Sequence, residues 1–147
     1  MKETFEPIIV EQSFNSSITN VWDAITKADQ MRQWFFENIE SFTPEVGFET
    51  QFNVQTPNRN FLHIWKLTEV VPGKKIVCNW KYGGYSGDSF VTFELSEVGN
   101  QTKLRLTHEV IENFPQDIPE FERKSGVEGW NYFIKDSLKK FLEKDIK

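Results

Sequence analysis

The chain changes its hydrophobic period three times. Residues Ile8, Val10, Gln12 and Phe14 alternate with polar neighbours and predict a strand. Ser16 or Ser17 then caps a helix that carries Ile18, Val21, Trp22 and Ile25 on one face. A second short helix is predicted over Asp29 to Phe35, with Met31, Trp34 and Phe35 apolar. From Ser41 onward the period drops to two. Phe48, Thr50, Phe52 and Val54 form one strand, and Phe61 to Val71 a long second one that is apolar on both faces in part. Ile76, Cys78 and Trp80 alternate in the next, then Val91, Phe93 and Leu95, then Leu104, Leu106 and His108. Pro72-Gly73, Gly83-Gly84 and Gly99-Asn100 punctuate them as short turns, which predicts an antiparallel meander. Such a sheet has one covered and one wet face.

The last period is helical. Val127, Trp130, Ile134, Leu138 and Phe141 recur at three- and four-residue steps, and Ser125-x-x-Glu128 has the form of a capping box. Gly126 and Gly129 cost this helix stability, which points to close approach of the helix to a sheet. The segment Ile111 to Lys124 is the one long connection. Its Phe114, Ile118 and Phe121 predict a flap packed on the body. The whole reads as an α+β fold in the order β-α-α-β6-α: a curved antiparallel sheet of six or seven strands around a long C-terminal helix, one domain over residues 1–147.

Composition narrows the function. A net charge of −5 repels phosphate backbones and argues against nucleic acid. Lys135, Lys139, Lys140, Lys144 and Lys147 on the last helix are interleaved with Asp136, Glu143 and Asp145, the pattern of a solvated face. The lone Cys78 excludes an internal disulfide and fits a reducing compartment. No apolar run is long enough to span a membrane, and Met1 to Pro7 lacks a signal-peptide core, so a cytoplasmic protein is expected.

Candidate chemistry is sparse. Two histidines and one cysteine without paired spacing do not make a metal site, and no phosphate loop, nucleophile elbow or dinucleotide fingerprint calls for a cofactor. Alternation turns His108 inward, as a ligand contact, a base or a satisfied core histidine. Glu69 is either a pocket acid or a turn residue held by hydrogen bonds. His63 shares a strand with Phe61 and Trp65, but its face stays open. Cys78 reads as a buried, inert thiol. Aromatics are 15% of the chain and form the main candidate. Trp34, Phe35 and Trp130, Phe133 come from the helical layer; Phe52, Trp65, Trp80 and Phe93 come from the sheet. They line a ligand cavity, with His108, if the helix stands off the sheet, and are plain core if it packs tightly.

Several stretches resemble the activator of Hsp90 ATPase homologue 1-like family, within the START/Bet v 1-like helix-grip superfamily. They are Ser17 to Thr26, Trp34-Phe35, Glu69-Val70-Val71-Pro72 with Trp80, Val91 to Leu95, Leu104 to His108, and Gly129-Trp130 with Leu138 and Phe141-Leu142-Glu143. The resemblance implies a helix-grip fold and binding of an apolar or aromatic small molecule or lipid between sheet and helix. It leaves a co-chaperone-like interaction module, with a chaperone or other protein partner, as the alternative. A cyclase- or hydrolase-like enzyme using His108 or Glu69 ranks third. Two departures stand out. Thr26-Lys27-Ala28-Asp29 replaces the family's usual Thr-Asp-Pro-Glu turn, and Trp65 stands where relatives often have a small residue, which leaves open whether the cavity is empty or filled by its indole. The co-chaperone that names the family also carries a separate N-terminal domain, for which this chain has no room; strong stimulation of Hsp90 ATPase activity is therefore not expected.

Overall fold

Six antiparallel strands form one curved sheet in the order β1-β6-β5-β4-β3-β2, with a long C-terminal helix gripped in its hollow. The structure is a computed structural model and describes residues 6–115 and 117–143. Met1 to Phe5 and the terminal charges Lys144, Asp145 and Lys147 lie outside the described residues. Strand β1 (Ile8–Phe14) precedes helices α1 (Ile18–Thr26) and α2 (Ala28–Trp34). Strands β2 (Glu49–Gln55), β3 (Asn60–Val71), β4 (Lys75–Gly83), β5 (Asp88–Val98) and β6 (Gln101–Glu112) follow as a meander. Five strands thus come after the two helices, and the sheet has the smaller of the two expected sizes.

Period two is visible in the burial. On β4, Ile76, Cys78 and Trp80 face the core while their neighbours are half-buried or exposed. On β3 the pattern holds from Phe61 to Leu67 and then breaks. Leu67 pairs with Cys78 but Glu69 pairs with Val77, so Thr68 is an extra residue, a β-bulge. The bulge turns Glu69 outward and Val70 inward. Glu69 is exposed and pairs with Lys75 at 3.4 Å, so of its two readings it is the residue held near the turn and not the pocket acid.

Helix α1 begins as its sequence predicts: the Ser17 side chain accepts a hydrogen bond from the Asn20 N–H at 3.1 Å. Helix α2 lies one residue earlier than predicted. The Trp34 indole N–H donates to the Ala24 carbonyl at 2.8 Å and locks α2 onto α1. The C-terminal helix, α3, spans residues 123–143 and differs from expectation at its start. Glu122 occupies the cap without a side-chain bond, and Ser125 Oγ instead donates to the Pro119 carbonyl at 2.9 Å. Its middle, Asn131–Leu138, is wound as a π-helix between α-helical ends. The predicted face is the buried one: Trp130, Ile134 and Leu138 are core, with Val127 and Phe141 packed beside them. Ser137 Oγ donates to the Trp34 carbonyl at 2.6 Å, so the two short helices hold one end of the long one. The other end, nearest the flap, is where space remains.

Candidate functional site: an aromatic cavity under the flap

Trp80 divides the space between sheet and helix into two halves. On one side the aromatic residues have closed up. Trp34 and Phe35 stack at 4.7 Å with planes 5° apart, Phe35 stacks on Trp65 at 5.7 Å, and Phe52 meets Trp65 edge-on at 4.8 Å. Phe35 also abuts Phe93 at 6.5 Å. A void of about 10 Å³ is left beside Phe35, Trp65 and Phe93, at the limit of what one water needs. Trp34, Phe35, Phe52, Trp65 and Phe93 are therefore placed as core, and Trp65 takes up the volume that a small residue would leave.

On the other side lies a cavity of about 320 Å³. It is bounded by the sheet, by the first turns of α3 and by the flap that leads into it. Trp80, His108, Trp130 and Phe133, all expected at a site, line it. So do Phe36, His63 and Tyr82, which sequence reasoning left unassigned or passed over. Alternation carried signal for two of these. Tyr82 follows Trp80 on the inward face of β4, and His63 lies between Phe61 and Trp65 on that of β3. Phe36 sits in a loop and has no period to betray it.

The flap packs as predicted. Phe114 is buried, with its ring centroid 5.2 Å from Tyr82 and 5.3 Å from Phe121. Phe121 lies in a 3₁₀ turn (Pro119–Phe121) and meets Phe61 at 5.2 Å and Tyr82 at 5.0 Å. Glu120 of the same turn faces the β2–β3 hairpin. Its carboxylate accepts from Thr56 Oγ at 3.0 Å and pairs with Arg59 at 3.5 Å. Arg123 opens α3 and donates to the carbonyls of Glu6, at 2.6 Å, and Pro7. The cavity wall thus carries charge only on residues of the flap and its surroundings: Glu6, Glu120, Glu122 and Arg123.

The inner wall is neutral. Trp130 Nε1–H donates to His108 Nδ1 at 3.1 Å. An indole can only donate, so Nδ1 must be unprotonated and the proton sits on Nε2. That Nε2–H donates to Ser89 Oγ at 3.0 Å, and the Ser89 hydroxyl in turn donates to the Trp80 carbonyl at 2.8 Å. Burial pushes His108 down to about 4. With both nitrogens engaged and its basicity lowered, His108 orients Trp130 and is unsuited to proton transfer at neutral pH. His63 is also lowered to about 4 by burial, and its Nδ1 lies 3.3 Å from the Phe61 carbonyl, which fixes the proton there. Burial raises Cys78 to about 12 and leaves its thiol inert, as read from the sequence. Among the described residues no three His, Cys, Asp or Glu side chains converge as metal ligands.

The two glycines of α3 have different reasons. A Cβ at Gly126 would meet Ile8 Cδ1 at 3.1 Å, the expected close approach to the sheet. A Cβ at Gly129 would meet nothing within 4 Å, which corrects that expectation; Gly129 borders the cavity and leaves it wider.

Solved structures share this architecture. DynU16, from the dynemicin biosynthetic locus, superposes with a TM-score of 0.75 at 18% identity over 95% of this chain and 48% of its own. This chain therefore spans about half the length of DynU16. Protein CV1439 from Chromobacterium violaceum gives 0.78 at 18% identity, covering 94% of this chain and 97% of that one. The Aha1 dimer from Colwellia psychrerythraea gives 0.71 at 21%, covering 96% and 98%. At these identities the likeness is one of fold. No curated protein matches the chain, and no helix among the described residues is long and apolar enough to cross a membrane. The sequence profile described as "Activator of Hsp90 ATPase homolog 1-like protein" matches residues 15–143, nearly the whole helix-grip fold, and the chain belongs to that family.

Proposed function

We propose that the protein binds one apolar, ring-bearing small molecule in the cavity between β4, α3 and the flap. The observation that carries this reading is the space itself. A chain that fills one half of its interior down to about 10 Å³ leaves about 320 Å³ open in the other, a volume at the lower end of the ~300–1,000 Å³ common for small-molecule sites. Trp80, Trp130 and Phe133 are the proposed contacts from the predicted set, with His63, Tyr82 and Phe36 added by the structure. Trp34, Phe35, Phe52, Trp65 and Phe93 support that wall from behind.

Gly129 provides the test. Leucine there projects into open space, and replacing a helical glycine removes a penalty of about 1 kcal/mol. Neutral aromatic probes are expected to quench tryptophan emission saturably in the wild type. Gly129→Leu should abolish the quenching while its urea midpoint stays level or rises. If a varied probe panel gives no saturable quenching of the wild type, the reading is wrong.

The enzyme alternative loses both residues it named, since Glu69 is exposed and His108 is fully engaged. The interaction-module alternative rests on the family resemblance. The large exposed apolar side chains are spread over several elements, with Ile9 on β1, Val71 on β3 and Val98 on β5, so it ranks second.

A further inference from the structure

The cavity holds a donor without an acceptor. Trp80 is 4% exposed, yet its Nε1–H has no hydrogen-bond partner among the described residues. An enclosed N–H left unpaired is costly, and native proteins rarely keep one without a reason. Tyr82 lies two residues on, on the same face of β4, and lines the same cavity. Its hydroxyl lies beside the Trp80 indole, so the two polar groups stand together at the cavity. Burial raises the Tyr82 phenol to about 12, and the nearby Trp80 indole N–H offsets part of that rise, although its geometry falls short of a full hydrogen bond.

Trp65 Nε1–H is orphaned too, but it lies in the closed half, where no ligand fits. The unpaired Trp80 donor borders the open cavity instead, with the Tyr82 hydroxyl next to it. We infer that the ligand is a neutral ring compound carrying a carbonyl-type oxygen, which accepts from both Trp80 Nε1–H and the Tyr82 hydroxyl. A carbonyl has two lone pairs and so can take both donors. Neutrality follows from the wall. The inner residues Phe36, Trp130 and Phe133 carry no charge, and both histidines there are uncharged near pH 7. A buried carboxylate would find no cation to pair with. Of the charged residues on the rest of the wall, Glu120 is paired with Arg59, and Glu6 and Glu122 outnumber Arg123, which further disfavours an anion. The rings facing the cavity favour a flat partner over an alkyl chain.

This inference rests on the cavity being a binding site, and the test separates the two. The probes are 1-tetralone, its hydrocarbon counterpart tetralin, and the carboxylate 1,2,3,4-tetrahydro-1-naphthoate. They are titrated into ¹⁵N-labelled protein while the tryptophan indole N–H signals are followed, with Trp80→Phe used to assign the Trp80 signal. In a cavity without a donor the hydrocarbon binds more tightly, because the ketone gives up its water for nothing. The expectation is the reverse: 1-tetralone binds about tenfold more tightly than tetralin, and the Trp80 indole proton moves downfield with the ketone alone. Tyr82→Phe should narrow the preference severalfold and leave tetralin binding as it was. Equal binding of ketone and hydrocarbon, or tightest binding of the carboxylate, overturns the inference and leaves the cavity a binding site. No saturable binding of any of the three, with Gly129→Leu indistinguishable from wild type, overturns both.

Discussion

Burial keeps His63 and His108 neutral, and this ties stability to pH. Each titrates near 6.5 in an unfolded chain and near 4 in the folded one, with desolvation as the leading cause. Between those values the unfolded state binds more protons, so lowering the pH favours unfolding. Each histidine can account for at most about 3 kcal/mol over the full window. Urea midpoints should therefore fall steadily from pH 6.5 to 4.5, before most carboxylates titrate. His63→Phe, which removes one of the two groups, should make the slope shallower. A midpoint that stays flat over this range would contradict the assignment. At this scale the sequence is partly legible. Alternation on β6 placed His108 inward correctly. It said nothing of Trp130 as its partner, because that contact joins a strand to a helix 22 residues away. Glu69 shows the opposite failure: one extra residue, Thr68, reverses the face of everything after it, and no local pattern announces it.

Elements were easier to foresee than their ends. The apolar face of α3 and the cradle formed by α1 and α2 follow from spacing, since side chains three and four apart share a helix face. Caps depend on the chain's path before the helix, which spacing does not record. Ser17 is a true cap, whereas Ser125 lies inside the helix and bonds back to Pro119. Ser17→Ala should therefore cost about 1 kcal/mol of stability, as lost caps do, and Ser125→Ala distinctly less. Thermal melts of the two variants check this, and an equal or larger loss at Ser125 would restore the capping box. The π-helical stretch Asn131–Leu138 was likewise invisible, because α and π windings place residues four apart on nearly the same face. Gly126 and Gly129 look alike in sequence, and only the position of Ile8 and of the void tells them apart.

For the molecule as a whole, the sequence offered an even choice between an aromatic core and an aromatic pocket. The structure holds both, side by side, with Trp80 as the partition. Which rings fall on which side depends on how far α3 stands from the sheet along its length, a tertiary quantity. One contact has a consequence for time rather than space. Gly87 begins the approach to β5 with φ +120°, and a Cβ there would overlap the Phe114 ring that closes the flap over Tyr82. The missing side chain is what lets Phe114 sit down; on the proposed binding reading, Gly87 then sets how long an occupant stays. Gly87→Ala should shorten residence by about tenfold or more, a loss of roughly 1.4 kcal/mol from the barrier to escape. Phe114→Ala removes the ring without straining the backbone and should have the same effect. Stopped-flow displacement of a bound aromatic probe measures it. If both variants release the probe at the wild-type rate, cargo leaves by another door.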